Sequence, residues 1–147
     1  MMQTFLPYFC FKESARVLDY RRLGKQRVEA KQIYDVLQRK RSGETNIPWG
    51  NHPAVLQWVG YSNLLALYHN CIIEEWIKRG YKNNMPFLST KPEAFILGNH
   101  PWIGNKKYHS SHRAALLAKD YDYYSQFGWT EEPKIDYFWP SKEKQCI

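Results

Sequence analysis

Residues 18–33 read L-D-Y-R-R-L-G-K-Q-R-V-E-A-K-Q-I, and the spacing within this stretch decides the fold. At about 100° per residue, Arg22, Lys25 and Glu29 share one helical face, with Ala30, Ile33, Tyr34 and Leu37 as the apolar stripe behind it. Four cations, Arg21, Arg22, Lys25 and Arg27, crowd around two acids, Asp19 and Glu29. One reading is a cationic working surface with a carboxylate inside it. The other is a solvated helix side on which Lys25 and Glu29 form an ordinary i,i+4 pair worth a few tenths of a kcal/mol. The helix is expected over about residues 23–41, with Leu23-Gly24 as a start or interruption and Ser42-Gly43 as the stop.

Downstream, Asn51 and His52 precede Pro53, a residue favoured at the first helical position. Apolar residues then keep a helical period over residues 53–79, with Gly60 as a possible division and Lys78-Arg79-Gly80 as a cationic last turn and stop. So much apolar circumference requires burial against other helices. Upstream, Pro7 forbids a regular helix through residues 1–11, which are expected as an extended arm, and residues 12–20 as a short helix with Ser14 near its start. Residues 81–108 hold Pro86, Pro92 and Pro101 and little periodicity; irregular stretches of this length are usually functional or mobile. Gly-Asn-His-Pro at 98–101 repeats the tetrapeptide at 50–53. Ser110 or Ser111 is expected to cap a further helix through His112, Arg113, Leu116, Lys119 and Tyr124, and the aromatic tail over 127–140 to fold back. The class is all-α: one compact domain over 1–147, three to five helices with long irregular connections.

Lys and Arg number 21 against 14 Asp and Glu, a net charge of +7 that favours a polyanion, nucleic acid before anionic membrane. Six Trp, eleven Tyr and seven Phe exceed the needs of a core this size, leaving rings to stack on bases. Cys10, Cys71 and Cys146 are odd in number and lack C-x-x-C spacing, so neither a disulfide framework nor a zinc site is indicated. No metal or cofactor is expected. No apolar run approaches the roughly 18 residues of a membrane span, and no secretory leader is evident, so a soluble cytoplasmic monomer is expected.

The histidines have competing readings. His52 and His100, each before a proline, suit helix capping or a buried carbonyl. His109 and His112 are three apart, a weak metal pattern, and with Arg113 and Lys119 fit phosphate or a displaced base better. His69, in an apolar helix, is structural. Trp129, Tyr121, Tyr123 and Tyr124 suit either core packing or stacking on an unpaired base.

Several blocks carry a family resemblance: L-D-Y-R-R-L-G-K-Q-R at 18–27, N-H-P-A-V-L-Q-W at 51–58, E-E-W-I-K-R-G-Y at 74–81, H-S-S-H-R-A-A-L-L-A-K at 109–119, and an aromatic run over 121–129. In this order they resemble the pyrimidine-dimer DNA glycosylase family, the phage endonuclease V-like enzymes, in the branch beginning M-Q-T-F-L-P-Y as residues 2–8 do here. The resemblance implies a compact all-α repair enzyme on double-stranded DNA. It cuts the glycosidic bond with the N-terminal α-amine, then nicks the strand by β-elimination. An α-amine suits that role because its pKa, about 7.7–8.0 against about 10.4 for lysine, leaves a useful fraction unprotonated at neutral pH.

Carried onto this chain, the resemblance makes the amine of Met1 or Met2 the nucleophile and sets His52 near the reaction centre. Arg21, Arg22, Lys25, Arg27, His109, His112, Arg113, Lys119 and Trp129 become the DNA-binding candidates. The family's glutamate after the acid-Tyr-Arg run is Arg22 here. Glu29, two helical turns beyond Arg22, is the first choice for the carboxylate and Asp19 the second. Two rival readings stay open: a non-catalytic binder of damaged or modified DNA, and an enzyme on free nucleotides or RNA.

Overall fold

The computed structural model describes residues 3–90 and 100–140. Its central element is α2 (Tyr20–Arg41), which opens where Asp19 accepts the Arg22 N–H at 3.3 Å. The helix therefore begins one turn before Leu23-Gly24, and Gly24 lies inside it. The reason is packing: a Cβ at Gly24 would sit 3.0 Å from a ring carbon of Trp76. Glycine here allows another helix to approach closely rather than breaking this one. Ser42 closes α2, followed by Gly43 at φ 89°.

Around α2 stand α1 (Phe11–Val17), the single-turn α3 (Pro53–Leu56), α4 (Ser62–Lys78), α5 (Lys106–Lys119) and the single-turn α6 (Tyr121–Tyr124), which runs into a 3₁₀ turn (Ser125–Phe127). Gly60, at φ 85°, divides the long apolar run into α3 and α4. The fold is all-α, with six α-helices and no strand among the described residues. The count exceeds three to five because α3 and α6 are too short for a periodic pattern to register. Asn105 rather than Ser110 or Ser111 caps α5, accepting from the Lys107 and Tyr108 N–H groups at 2.9 and 3.3 Å. Both serines lie inside the helix, and the Ser111 hydroxyl donates back to the Tyr108 carbonyl.

The core forms chiefly where α2 packs on α4. Leu23, Ala30, Ile33 and Leu37 meet Leu65, Tyr68, Cys71 and Ile72 in one buried cluster. Burying each large aliphatic side chain contributes about 1.5–3 kcal/mol. Trp58 and Trp102 meet edge to face at 4.8 Å, and Tyr137, Phe138 and Trp139 of the returning tail pack against the cluster.

The arm over residues 3–8 is extended, and all of it but Tyr8 is buried, so its amides need partners that no helix or sheet supplies. Side chains supply them. Gln3 N–H donates to Glu29 Oε2 at 2.8 Å, and Gln26 Nε2 donates to the Gln3 carbonyl at 2.7 Å. Phe5 N–H donates to Gln26 Oε1, and the Tyr68 hydroxyl to the Phe5 carbonyl. Leu6 N–H donates to His112 Nδ1 at 2.9 Å, while His109 Nδ1 lies 2.7 Å from the Leu6 carbonyl. Because His109 Nε2 accepts from the Gly104 N–H, its hydrogen is on Nδ1 and points at Leu6. The H-x-x-H pair on α5 thus clamps both polar groups of one buried residue.

Candidate active cleft

Beside the pinned arm lies an open cleft of about 610 Å³. Gln3 and Phe5 of the arm form one wall, and Arg22, Lys25, Gln26 and Glu29 of α2 form another. These four are spaced i, i+3, i+4 and i+7, which brings them onto one helical face. Asp19, Tyr20 and Arg21 form the rim at the start of α2; Lys119, Asp120, Tyr123 and Tyr137 complete the lining. Asp19, Arg21, Arg22, Lys25, Glu29 and Lys119 therefore meet in one place.

The two carboxyl groups are driven in opposite directions. Glu29 is 8% exposed, and burial raises its pKa against the opposing pull of the Gln3 N–H, Lys25 and Lys119. Its hydrogen bond goes to Gln3 across the cleft, not to the simple surface pairing with Lys25. Burial also works to raise Asp19, but the Tyr124 hydroxyl and Arg22 outweigh it and hold that carboxyl below its ordinary value. Asp19 Oδ1 takes both the Tyr124 hydroxyl and Arg22 Nη1, the latter at 3.1 Å, while Oδ2 caps α2. A carboxylate so fully engaged is a fixed anion, whereas Glu29 is the more readily protonated of the two. Asp19→Ala should cost about 1–2 kcal/mol, since it removes a helix cap and strands a buried hydroxyl. Chemical denaturation of the variant checks this.

The cations strain one another. Burial lowers the Lys119 pKa, and repulsion from Arg22 and Lys25 lowers it further, with Glu29 opposing. A phosphate entering the cleft relieves that repulsion, which is how a polyanion site is built.

Other candidate residues lie elsewhere. Arg27 leaves the cleft on the α4 side, with its guanidinium 4.1 Å over the Trp76 ring and 3.1 Å from Asn83 Oδ1. Arg113 pairs with Glu131 at 2.8 Å and donates to the Pro7 carbonyl at 2.7 Å. Trp129 stacks on Tyr124 at 5.7 Å and donates to the Tyr8 hydroxyl. His109 and His112 are buried, and burial lowers both imidazoles, His112 to about 3. Neutral rings committed to Leu6 are not phosphate-gripping cations, so the expected contact with phosphate or a displaced base is replaced by anchorage of the arm. His52 caps α3 through Nδ1, which accepts the Ala54 N–H at 3.0 Å. His100 takes the Trp102 and Ile103 N–H groups in the same way, so the repeated tetrapeptide repeats a local cap. His52 stands one ring away from the cleft wall, against Trp139, which touches Tyr137. Met1 and Met2 lie outside the described residues.

Gln3, Gln26 and Tyr137 are cleft residues that the sequence reading passed over. Gln26, four residues from Arg22, was open to the same periodic argument as Lys25 and Glu29. Gln3 and Tyr137 come from irregular segments, where spacing carries no facing information.

Among the described residues no group of three or more His, Cys, Asp or Glu converges as a metal site, and no helix is long and apolar enough to cross a membrane. No curated protein and no solved structure matches the chain. A family model described as pyrimidine dimer DNA glycosylase matches residues 2–89. The match takes in the arm and the whole α2 wall of the cleft, and it spans well over half the sequence. On that match the chain belongs to the pyrimidine dimer DNA glycosylase family.

Proposed function

We propose that the chain excises pyrimidine dimers, or another altered pyrimidine, from duplex DNA by attack of its N-terminal α-amine on the sugar C1′, and then nicks the strand. The amine is that of Met1, or of Met2 where the chain begins there. The observation that carries this reading is the Gln3 N–H to Glu29 bond at 2.8 Å in a cationic cleft. A residue adds at most about 3.6 Å of chain, so the first nitrogen of a chain starting at Met1 or Met2 stays within about 7 Å of the Gln3 nitrogen. That tether keeps amine and carboxylate in one neighbourhood.

As the amine bonds to C1′, the C1′–N1 bond breaks and the pyrimidine leaves with its electron pair. The nitrogen sheds one proton, and as its lone pair forms the C1′=N bond the C1′–O4′ bond breaks and O4′ takes a proton, giving a protonated imine with the opened sugar. Loss of a C2′ proton then expels the 3′ phosphate, and water releases the enzyme. Glu29, with its raised pKa, exchanges these protons and offsets the cationic sugar. Arg21, Arg22, Lys25 and Lys119 hold the flanking phosphates. All of these groups come from one chain, so a monomer suffices.

Arg22 at the position of the family's glutamate favours a second reading, a binder of damaged DNA without catalysis. Ultraviolet-irradiated duplex separates the two. The proposal expects strand scission dependent on irradiation; tight binding without scission would leave the binder.

A further inference from the structure

Of the six tryptophans, all within the described residues, Trp49 alone lies outside the core cluster and its packed rim. It is 59% exposed. It is also held in an unfavourable backbone conformation. Gly50 N–H bonds back to the Ile47 carbonyl at 2.9 Å, closing the turn Ile47-Pro48-Trp49-Gly50, and Trp49 has φ 68°. Proline fixes a negative φ at the second position, so this is a type II turn, whose third position ordinarily takes glycine or asparagine. A bulky side chain there costs free energy and gains little burial in return. Such strain persists where a function needs the side chain displayed.

The location supports one occupant. Trp49 meets His52 at 5.8 Å, His52 meets Trp139 at 6.4 Å, and Trp139 meets Tyr137 of the cleft wall at 5.6 Å. Three ring steps along this wall amount to no more than about five base steps of 3.4 Å, within reach of a duplex lying in the cleft. The side is basic: Arg39, Lys40 and Arg41 form the last turn of α2, and the Lys40 side chain lies against Gly50.

We propose that Trp49 is a DNA-contacting residue whose displayed ring stacks on an unstacked base flanking the lesion. This rests on the repair reading and adds a contact outside the cleft to it. The full chain is tested as Trp49→Gly and Trp49→Phe, by binding to a duplex with one abasic-site analogue and by thermal melting. Glycine should weaken binding about tenfold or more while the melting temperature holds or rises, because the turn relaxes. Phenylalanine should keep most of the affinity. Unchanged binding by the glycine variant would overturn the inference, as would a fall in its melting temperature, which would mark Trp49 as structural. Failure of the unsubstituted chain to bind any duplex would sink the repair reading and this contact with it; a silent glycine variant of a chain that binds sinks the contact alone.

Discussion

Glu29→Gln lowers single-turnover excision by about a hundredfold or more and leaves duplex affinity unchanged. The amide keeps the shape of the side chain and an oxygen to accept the Gln3 N–H, so the arm stays in place. What disappears is the ability to take a proton or to carry negative charge beside a cationic sugar, and positioned acid–base groups contribute about 10²–10⁴ in rate. The pH profile gives a second readout. Protonation of the α-amine sets the first acid fall of the rate; because burial raises the Glu29 pKa, protonation of Glu29 should add a second fall at lower pH, above the ordinary glutamate value, and the glutamine variant should lose that second fall. A variant with full turnover would move the carboxylate role to Asp19, despite the three hydrogen bonds, one of them also an ion pair with Arg22, that already occupy it.

His112→Ala should destabilise the protein by about 3 kcal/mol, since it empties a buried ring site and leaves the Leu6 N–H without its acceptor. For a chain of this length that is roughly 6–12 °C in melting temperature. The same contact makes the native state acid-labile. His112 titrates near 3 when folded and near 6.5 when unfolded, so below pH 6.5 the unfolded chain binds the extra proton. Stability therefore falls as the pH drops from about 6.5 toward 3, by roughly 3–5 kcal/mol for this group alone. Asp19 adds to the loss: its lowered pKa contributes stability above the unfolded value, and that contribution goes as the pH falls through the folded value. Glu29, shifted the other way, opposes them. Unfolding measured from pH 7 to pH 4 should show a shallower acid slope in His112→Ala than in the unsubstituted chain. Equal slopes would contradict the clamp.

The sequence exposes some of these features and conceals others for physical reasons. The α2 stripe, the His52-Pro53 start and the Gly60 division follow from local periodicity and capping, and the structure keeps them. The clustering of Arg22, Lys25 and Glu29 follows from the same period. Lys119 reaches the cleft from another helix; its neighbours in sequence and the family blocks both marked it for phosphate, but neither set it beside Glu29. Periodicity could not reveal that His109 and His112 face inward. Two imidazoles beside Arg113 suggest a phosphate site until the extended arm, with amides in need of partners, is set against them. Gly24 misleads in the same way: a helix breaker by propensity becomes a point of close approach once Trp76 is opposite. Trp49 carries no local signal beyond following a proline; its strain exists only in the folded turn.

The central claim is that the first nitrogen of the chain, Glu29 and the cleft cations act on the same sugar. Borohydride trapping on abasic duplex, followed by peptide mapping of the adduct, tests it most directly. The account predicts one covalent adduct on the N-terminal peptide, at the α-amine. An adduct on Lys25 or Lys119, or none under conditions that trap a control lyase, would contradict it.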